Sequence, residues 1–238
     1  MNNTQRLDKY LANLGVCARR NVDNLLKERV LTVNGQRVEE GGLRIDEEKD
    51  EILLDGKEIK KPKPVYYLLN KPKGIISTTS DERGRKNVMS FIKTDTRLYP
   101  VGRLDKDTTG LIILTNDGEL THKLTHPKHH IDKTYELTIK GRADNNKLEK
   151  LRNGIDLEDG RTYPAVIHVI QEGDITVLNM TIHEGRNRQI RRMCKAVKID
   201  LKELRRIKIG EIQIGTLKEG QYREITKAEL DRLRSNYL

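Results

Sequence analysis

The chain has 238 residues, of which 35% are apolar and 34% charged, with a formal net charge of +10. No apolar stretch approaches the ~20 residues that cross a bilayer, and the first residues lack the apolar centre of a signal peptide; a membrane or secreted protein is not expected, and a cytoplasmic one is. A basic excess of this size points to a polyanion, nucleic acid ahead of a membrane surface.

Trp is absent and Phe occurs once, so Leu, Ile and Val must build the core. Cys17 and Cys194 are far apart and show neither metal nor disulfide spacing. Leu7, Tyr10, Leu11 and Leu14 fall at helical spacing, with Gly15 as the stop. Ala18 to Lys27 reads as a second helix, turning Val22, Leu25 and Leu26 inward. Asn34-Gly35, between Val30–Val33 and Gln36–Val38, is a hairpin signal, and Asp55-Gly56 repeats it between Ile52–Leu54 and Lys57–Ile59. The basic run from Lys60 to Pro64 contains two prolines, which fit neither a helix interior nor a central strand. It marks a boundary between domains at 1–62 and 63–238.

Charge sharpens this division. Residues 1–62 hold 12 basic and 12 acidic side chains, so the rest of the chain carries the whole excess. The small unit is still polarised, with six basic and three acidic residues in 1–31 against six and nine in 32–62. The second part alternates elements without βαβ regularity. Val65–Leu69, Leu111–Leu114, Tyr135–Ile139, Ala165–Val169 and Ile175–Met180 read as strands. Asn187–Val197 and Thr226–Leu233 read as helices, the latter with Thr226 and Glu229 in capping-box register. The expected class is α+β: a small helical and hairpin domain, then a mostly antiparallel mixed sheet flanked by helices.

In the helix from Asn187, Ile190, Met193, Cys194 and Val197 form an inward face, and Arg188, Arg191, Arg192 and Lys195 a basic stripe. Ten basic and three acidic residues lie between Glu184 and Lys208. Such a stripe is either a solvated face or a phosphate-binding one; arginine over lysine near the helix start favours phosphate or carboxylate, which makes Arg186, Arg188 and Arg192 candidate RNA contacts. Asp105-Lys106-Asp107-Thr108-Thr109 fits an aspartyl-phosphate pattern, but the apolar strand that normally precedes one is missing. It also mimics a calcium loop, except that Asn116 stands where the last ligand should be glutamate. A surface turn is the plain alternative. His122 and His126 are four apart, with His129-His130 following; Pro127 and the want of a further strong ligand favour surface histidines over zinc.

Six segments occur in order: Asn70-Lys71-Pro72-Lys73-Gly74, Gly102-Arg103-Leu104-Asp105, Thr109-Gly110-Leu111, Thr115-Asn116-Asp117-Gly118, Lys133-Thr134-Tyr135, and Glu184-Gly185-Arg186-Asn187-Arg188-Gln189-Ile190-Arg191-Arg192-Met193. From Val65 onward the chain resembles the RsuA/RluB-type ribosomal-RNA pseudouridine synthases. Arg6-Leu7-Asp8-Lys9, Gly15, Arg19-Arg20 and Val33-Asn34-Gly35 resemble the alpha-L RNA-binding domain. The resemblance implies that Asp105 is the catalytic nucleophile, that Tyr135 stacks on the extruded base and assists proton removal from C5, and that Arg191 pairs with Asp105. It further implies that Arg103 holds the opened RNA and that Arg6, Arg19 and Arg20 bind RNA. Sugar attack and elimination by Asp105 both stay open.

The implied partner is ribosomal RNA or a pre-ribosomal particle, with no cofactor, no metal and no membrane, and the chain is expected to be a monomer. Gly185-Arg186-Asn187-Arg188 leans towards a large-subunit target and His129-His130 towards a small-subunit one; the large subunit is favoured. A non-catalytic ribosome-assembly factor is the alternative from another class. Ala18 departs from the RNA-binding pattern, which usually has a serine there to cap the second helix.

Overall fold

The structure, a computed structural model, describes residues 4–60, 62–79, 81 and 83–237. Lys61, inside the basic boundary run, lies outside them. The chain divides into two compact units. One is Met1–Val65 with Thr94–Arg97 and Asn116–Gly118; the other is Tyr66–Lys93, Leu98–Thr115 and Glu119–Leu238.

In the first unit, strand β1 (Thr4–Arg6) leads into helix α1 (Leu7–Asn13), which buries Leu7 and Leu11 completely. The expected second helix is divided: Arg19–Asn21 form a 3-10 turn, and α2 begins at Val22 and ends at Glu28. Strands β2 (Leu31–Val33), β3 (Gln36–Arg37), β4 (Arg44–Asp46), β5 (Ile52–Leu54) and β6 (Lys57–Glu58) follow. β1 pairs with β4, and the others form a sheet in the order β3-β2-β5-β6. Both hairpin turns have positive φ at their two central residues, 52° and 77° at Asn34-Gly35 and 50° and 73° at Asp55-Gly56. That is the turn whose twist matches the flanking strands, and Asn-Gly and Asp-Gly adopt it at least cost.

Ala18 occupies the cap position of the 3-10 turn in an extended conformation and offers no side-chain acceptor. An Ala18→Ser variant is expected to stabilise this unit by roughly 0.5–1 kcal/mol, read as a higher denaturant midpoint; an unchanged midpoint would mean that the turn's free N–H groups are already well hydrated.

The second unit is built on one sheet of nine strands. Its strands are β7 (Tyr66–Lys71), β8 (Tyr99–Pro100), β9 (Thr109–Thr115), β10 (Lys133–Lys140), β13 (Val166–Gln171), β14 (Ile175–Ile182), β15 (Leu201–Ile209), β16 (Ile212–Gln213) and β17 (Tyr222–Glu224), while β11 (Asp156–Leu157) and β12 (Gly160–Arg161) form a separate hairpin. The order is β13-β14-β10-β15-β9-β7-β17, with β16 on β15 and β8 on β9. Every pairing is antiparallel except β15 with β9. The helices are α3 (Gly118–Thr125), α4 (Asn145–Asn153), α5 (Gln189–Ala196) and α6 (Lys227–Tyr237). The α+β architecture expected from the sequence is the one observed.

The sheet carries two cores. Leu68, Leu111, Ile113 and Ile209 pack with Leu120 and Leu124 of α3 and with Leu230 and Leu233 of α6. Leu137, Ile139, Met180 and Leu204 pack with Leu148 and Leu151 of α4 and with Ile190, Met193 and Cys194 of α5. The inward face read for α5 is therefore buried at Ile190, Met193 and Cys194, while Val197 caps the helix and is partly buried. Burial pushes the Cys194 thiol up to about 12, leaving it unreactive at neutral pH.

The capping box of α6 forms: Thr226 N–H donates to Glu229 at 2.9 Å, and Glu229 N–H to Thr226 Oγ1 at 3.2 Å. The Arg223 guanidinium, bound to the same carboxylate at 2.7 Å, holds Glu229 at about 2.

Candidate active site

The middle of the sheet is made by β15, whose charged sequence Leu-Lys-Glu-Leu-Arg-Arg-Ile-Lys-Ile has no strand signature. It pairs with β10, where Tyr135 stands opposite Arg206 beside a register shift, and with β9, where Arg206 stands opposite Gly110. Gly110 has φ +103°, and a Cβ there would collide with the backbone of Arg206. Only glycine lets the two halves of the sheet join at this point.

A cavity of about 460 Å³ opens at the seam between the two cores. Leu124 and Ile209 from one core and Ile182, Ile190 and Leu204 from the other form its apolar walls. Asp105, Tyr135, Arg103, Arg186 and Arg188 also line it. It is apolar with a few convergent polar groups, the usual make-up of a ligand site.

The Asp105 loop is irregular but tightly held. The Ser77 hydroxyl donates to Leu104 O at 2.9 Å and accepts from Leu104 N–H at 3.1 Å. Lys106 O accepts from Gly74 N–H at 2.8 Å and from the Lys71 ammonium at 3.4 Å. Thr108 N–H closes a turn on Asp105 O at 3.1 Å. The Asp105 side chain is 29% exposed, so its carboxylate faces the cavity from a fixed loop.

The ion pair of Asp105 runs to Arg188 at 3.8 Å, not to Arg191. Arg191 instead donates to Asp107 O at 3.0 Å and to Thr108 Oγ1 at 3.3 Å, gripping the loop from behind. The expected Arg191–Asp105 pair is thus replaced by two contacts. Arg188 stands at the cap of α5 with φ +47°, outside the helix proper, and that turns its side chain off the stripe.

The remaining arginines part company. Arg103 is exposed at the cavity. Arg186 donates to Glu184 at 2.9 Å and to the carbonyls of Asp159, Gly160 and Arg161, and Arg192 makes a bidentate pair with Asp159 at 2.9 Å. These two clamp the β11–β12 hairpin to α5 rather than standing free for phosphate. In the first unit Arg6 and Arg19 both bind Asp8, at 3.1 and 3.2 Å, while Arg20 is exposed. Burial pushes the Asp8 carboxyl up, but the two guanidinium groups outweigh it and hold it below the usual range.

Sequence reasoning missed three basic groups. Lys71 is fully buried and donates to the carbonyls of Pro72, Ile75 and Lys106. Lys133 lines the cavity and donates to His183 O at 3.3 Å. Arg206 is 4% exposed, donates Nε to Leu111 O at 2.7 Å, and leaves Nη2 buried with no partner among the described residues. The motifs around Lys71 and Lys133 carried a signal but no role; Arg206 carried none.

Burial lowers the Lys71 and Lys133 ammonium groups to about 8 each. Their ordinary value is about 10.4, so above pH 8 the unfolded chain holds more protons than the folded one, and these groups make stability rise with pH there; below pH 8 both states are protonated and the effect is flat. The rise in denaturant midpoint from pH 7.5 to 9 is expected to be smaller in Lys71→Met than in the parent protein, and equal rises would show that Lys71 does not titrate in this window.

His122, His126 and His129 sit with ring centroids 4.9–6.5 Å apart. Among the described residues no three His, Cys, Asp or Glu side chains are arranged to hold a metal, and no helix is long and apolar enough to cross a membrane.

The family model described as RNA pseudouridylate synthase matches residues 65–196, and that of the S4 domain matches residues 5–52. A ribosomal large subunit pseudouridine synthase B of Bacillus subtilis is 43% identical over 235 residues, covering 97% of this chain and 96% of its own. A ribosomal small subunit pseudouridine synthase A of Vibrio vulnificus is 34% identical over 231 residues, covering 95% and 98%. A crystal structure of a pseudouridylate synthase superposes with a TM-score of 0.71 at 34% identity, covering 96% of this chain and 99% of its own. The protein is an α+β enzyme of the isomerase class, and it belongs to the RNA pseudouridylate synthase family, with an S4 domain ahead of the catalytic fold.

Proposed function

We propose that this enzyme isomerises one uridine of large-subunit ribosomal RNA to pseudouridine, with residues 63–238 performing the chemistry and residues 1–62 adding RNA affinity. The carrying observation is the Asp105 carboxylate, held on a fixed loop in the same cavity as Tyr135 and Arg188. The large-subunit target is supported by the name and identity of the Bacillus relative over nearly its whole length. The net charge of +10 suits a polyanionic substrate in the cytoplasm.

The reaction breaks the bond from C1′ to uracil N1, turns the base, joins C5 to C1′, and moves the C5 proton away as N1 gains one. Every atom is conserved and nothing is oxidised, so no electron acceptor is required. Asp105 starts glycosidic cleavage as the carboxylate nucleophile. Tyr135 stacks on the base, and its hydroxyl assists loss of the C5 proton. Arg188 orients Asp105, while Arg191 fixes the loop that carries it. The free Nη2 of Arg206 donates to an acceptor on the bound nucleotide; a buried donor left unpaired costs roughly 1–3 kcal/mol, and the ligand removes that cost.

The test is purified protein on large- and small-subunit ribosomal RNA transcripts, with pseudouridine located by carbodiimide mapping. One new pseudouridine is expected in the large-subunit RNA. Modification of the small-subunit RNA alone would overturn the target, and modification of neither would overturn ribosomal RNA as substrate.

A further inference from the structure

The rim of the cavity holds an aromatic group that the isomerisation does not use. His183, the residue that follows β14, lines the cavity. Its ring lies 4.7 Å from Tyr163 at 53° and 5.0 Å from His130 at 67°, and His130 and Tyr163 are 6.2 Å apart at 87°. Most rings in such contact are core, yet Tyr163 is 52% exposed and His130 is exposed as well. The chain has only eight tyrosines and one phenylalanine, so a solvent-facing ring beside the cavity is an uneconomical use of scarce apolar surface unless something covers it.

The three rings come from distant segments, and a main-chain hydrogen bond ties each residue: His183 O accepts from the Lys133 ammonium at 3.3 Å. Tyr163 N–H donates to Glu184 Oε1 at 2.9 Å, and Gln189 grips the same oxygen at 2.6 Å. Arg186 binds the other carboxylate oxygen. His130 follows the 3-10 turn Pro127–His129 in a left-handed conformation, φ 46° and ψ 38°, with its N–H on Pro127 O. The Glu184-Gly185-Arg186 clamp thus sets the position of Tyr163 as well as the start of α5. Exposed cations accompany the group: Lys128 stands two residues before His130 in the chain, and Arg103 and Arg188 line the same cavity as His183.

We propose that His130, Tyr163 and His183 form a stacking platform for an unpaired RNA base next to the one that enters the cavity. Fixed rings interleaved with cations are how proteins hold single-stranded nucleic acid, since every base has a flat face and every linker a phosphate. His183 belongs to both platform and cavity lining, so a base on the platform lies beside the cavity mouth. The platform holds the strand open after the target base leaves its stack, and so offsets part of the extrusion cost. This inference rests on the RNA substrate of the proposed function, but not on the identity of the uridine.

The probe is an RNA hairpin with a uridine loop interrupted by one 2-aminopurine, whose fluorescence falls when it stacks on a ring. Parent protein and Tyr163→Phe are expected to quench it equally. Tyr163→Ala and His130→Ala are expected to lose the quench and to weaken binding about tenfold, as removal of one stacked base does. Absence of quenching by the parent protein, or unchanged quenching and affinity in Tyr163→Ala, would overturn the platform. Pseudouridine formation by the parent protein in ribosomal RNA, scored separately, reports on the isomerase reading, so the two failures are distinct.

Discussion

Asp105→Asn is expected to leave a folded, RNA-binding protein whose turnover is lower by on the order of 10⁴-fold, the scale of losing a residue that acts in the chemical step itself. The substitution keeps shape and removes charge. The loop does not depend on that charge: the Ser77 hydroxyl holds Leu104, while the Lys71 ammonium and Gly74 N–H hold Lys106, each at a backbone atom of the loop. Arg188 loses its partner, but it is 46% exposed, and water replaces an exposed ion pair at little cost. The loss therefore falls on the bond-breaking step alone. Single-turnover pseudouridine formation on ribosomal RNA, with affinity measured in parallel, checks it. A variant that turns over at the parent rate would remove Asp105 from the chemistry.

Gly110→Ala is expected to destabilise the protein by about 4 kcal/mol or more, beyond what most single substitutions do. Two costs combine. At φ +103° any residue with a Cβ is strained, and this Cβ would lie 2.7 Å from Arg206 N and 2.9 Å from its carbonyl carbon. Neither strand has room to move, because β15 is held by β10 on its other edge and β9 by β7. A loss of that size lowers the melting temperature of a chain this long by about 10 °C. Gly185→Ala is the control: its Cβ meets nothing within 4 Å, and its φ lies outside the left-handed region. If Gly110→Ala melts with the control, the β9–β15 junction is more plastic than its geometry implies.

Much of the fold was legible because its signals are local. Asn34-Gly35 and Asp55-Gly56 declare their turns through the φ angles those residues tolerate. Thr226 and Glu229 satisfy one another within a single turn of helix. The face of Ile190, Met193 and Cys194 follows from helical spacing. β15 was not legible, since five of its nine residues are charged and its place between two strands from elsewhere in the chain is what makes it a strand.

The candidate site divides in the same way. By itself the sequence determined the ordered motifs, the class of enzyme they indicate, and the acidic residue at their centre, because a motif is a run of neighbours. Only the tertiary structure decided which arginine meets Asp105. Helix α5 starts at Gln189, two residues later than its periodicity indicated; Arg188 therefore takes a left-handed cap and reaches the carboxylate, and Arg191, on the helix, reaches the carbonyl of Asp107, 84 residues away. A rotation of 100° per residue makes side-chain direction depend on where a helix begins, and that start is set here by the Glu184, Arg186 and Gln189 bonds. Lys71 and Arg206 were decided in the same way, since a lysine or arginine is solvated by default and becomes a buried donor only when distant backbone carbonyls close around it.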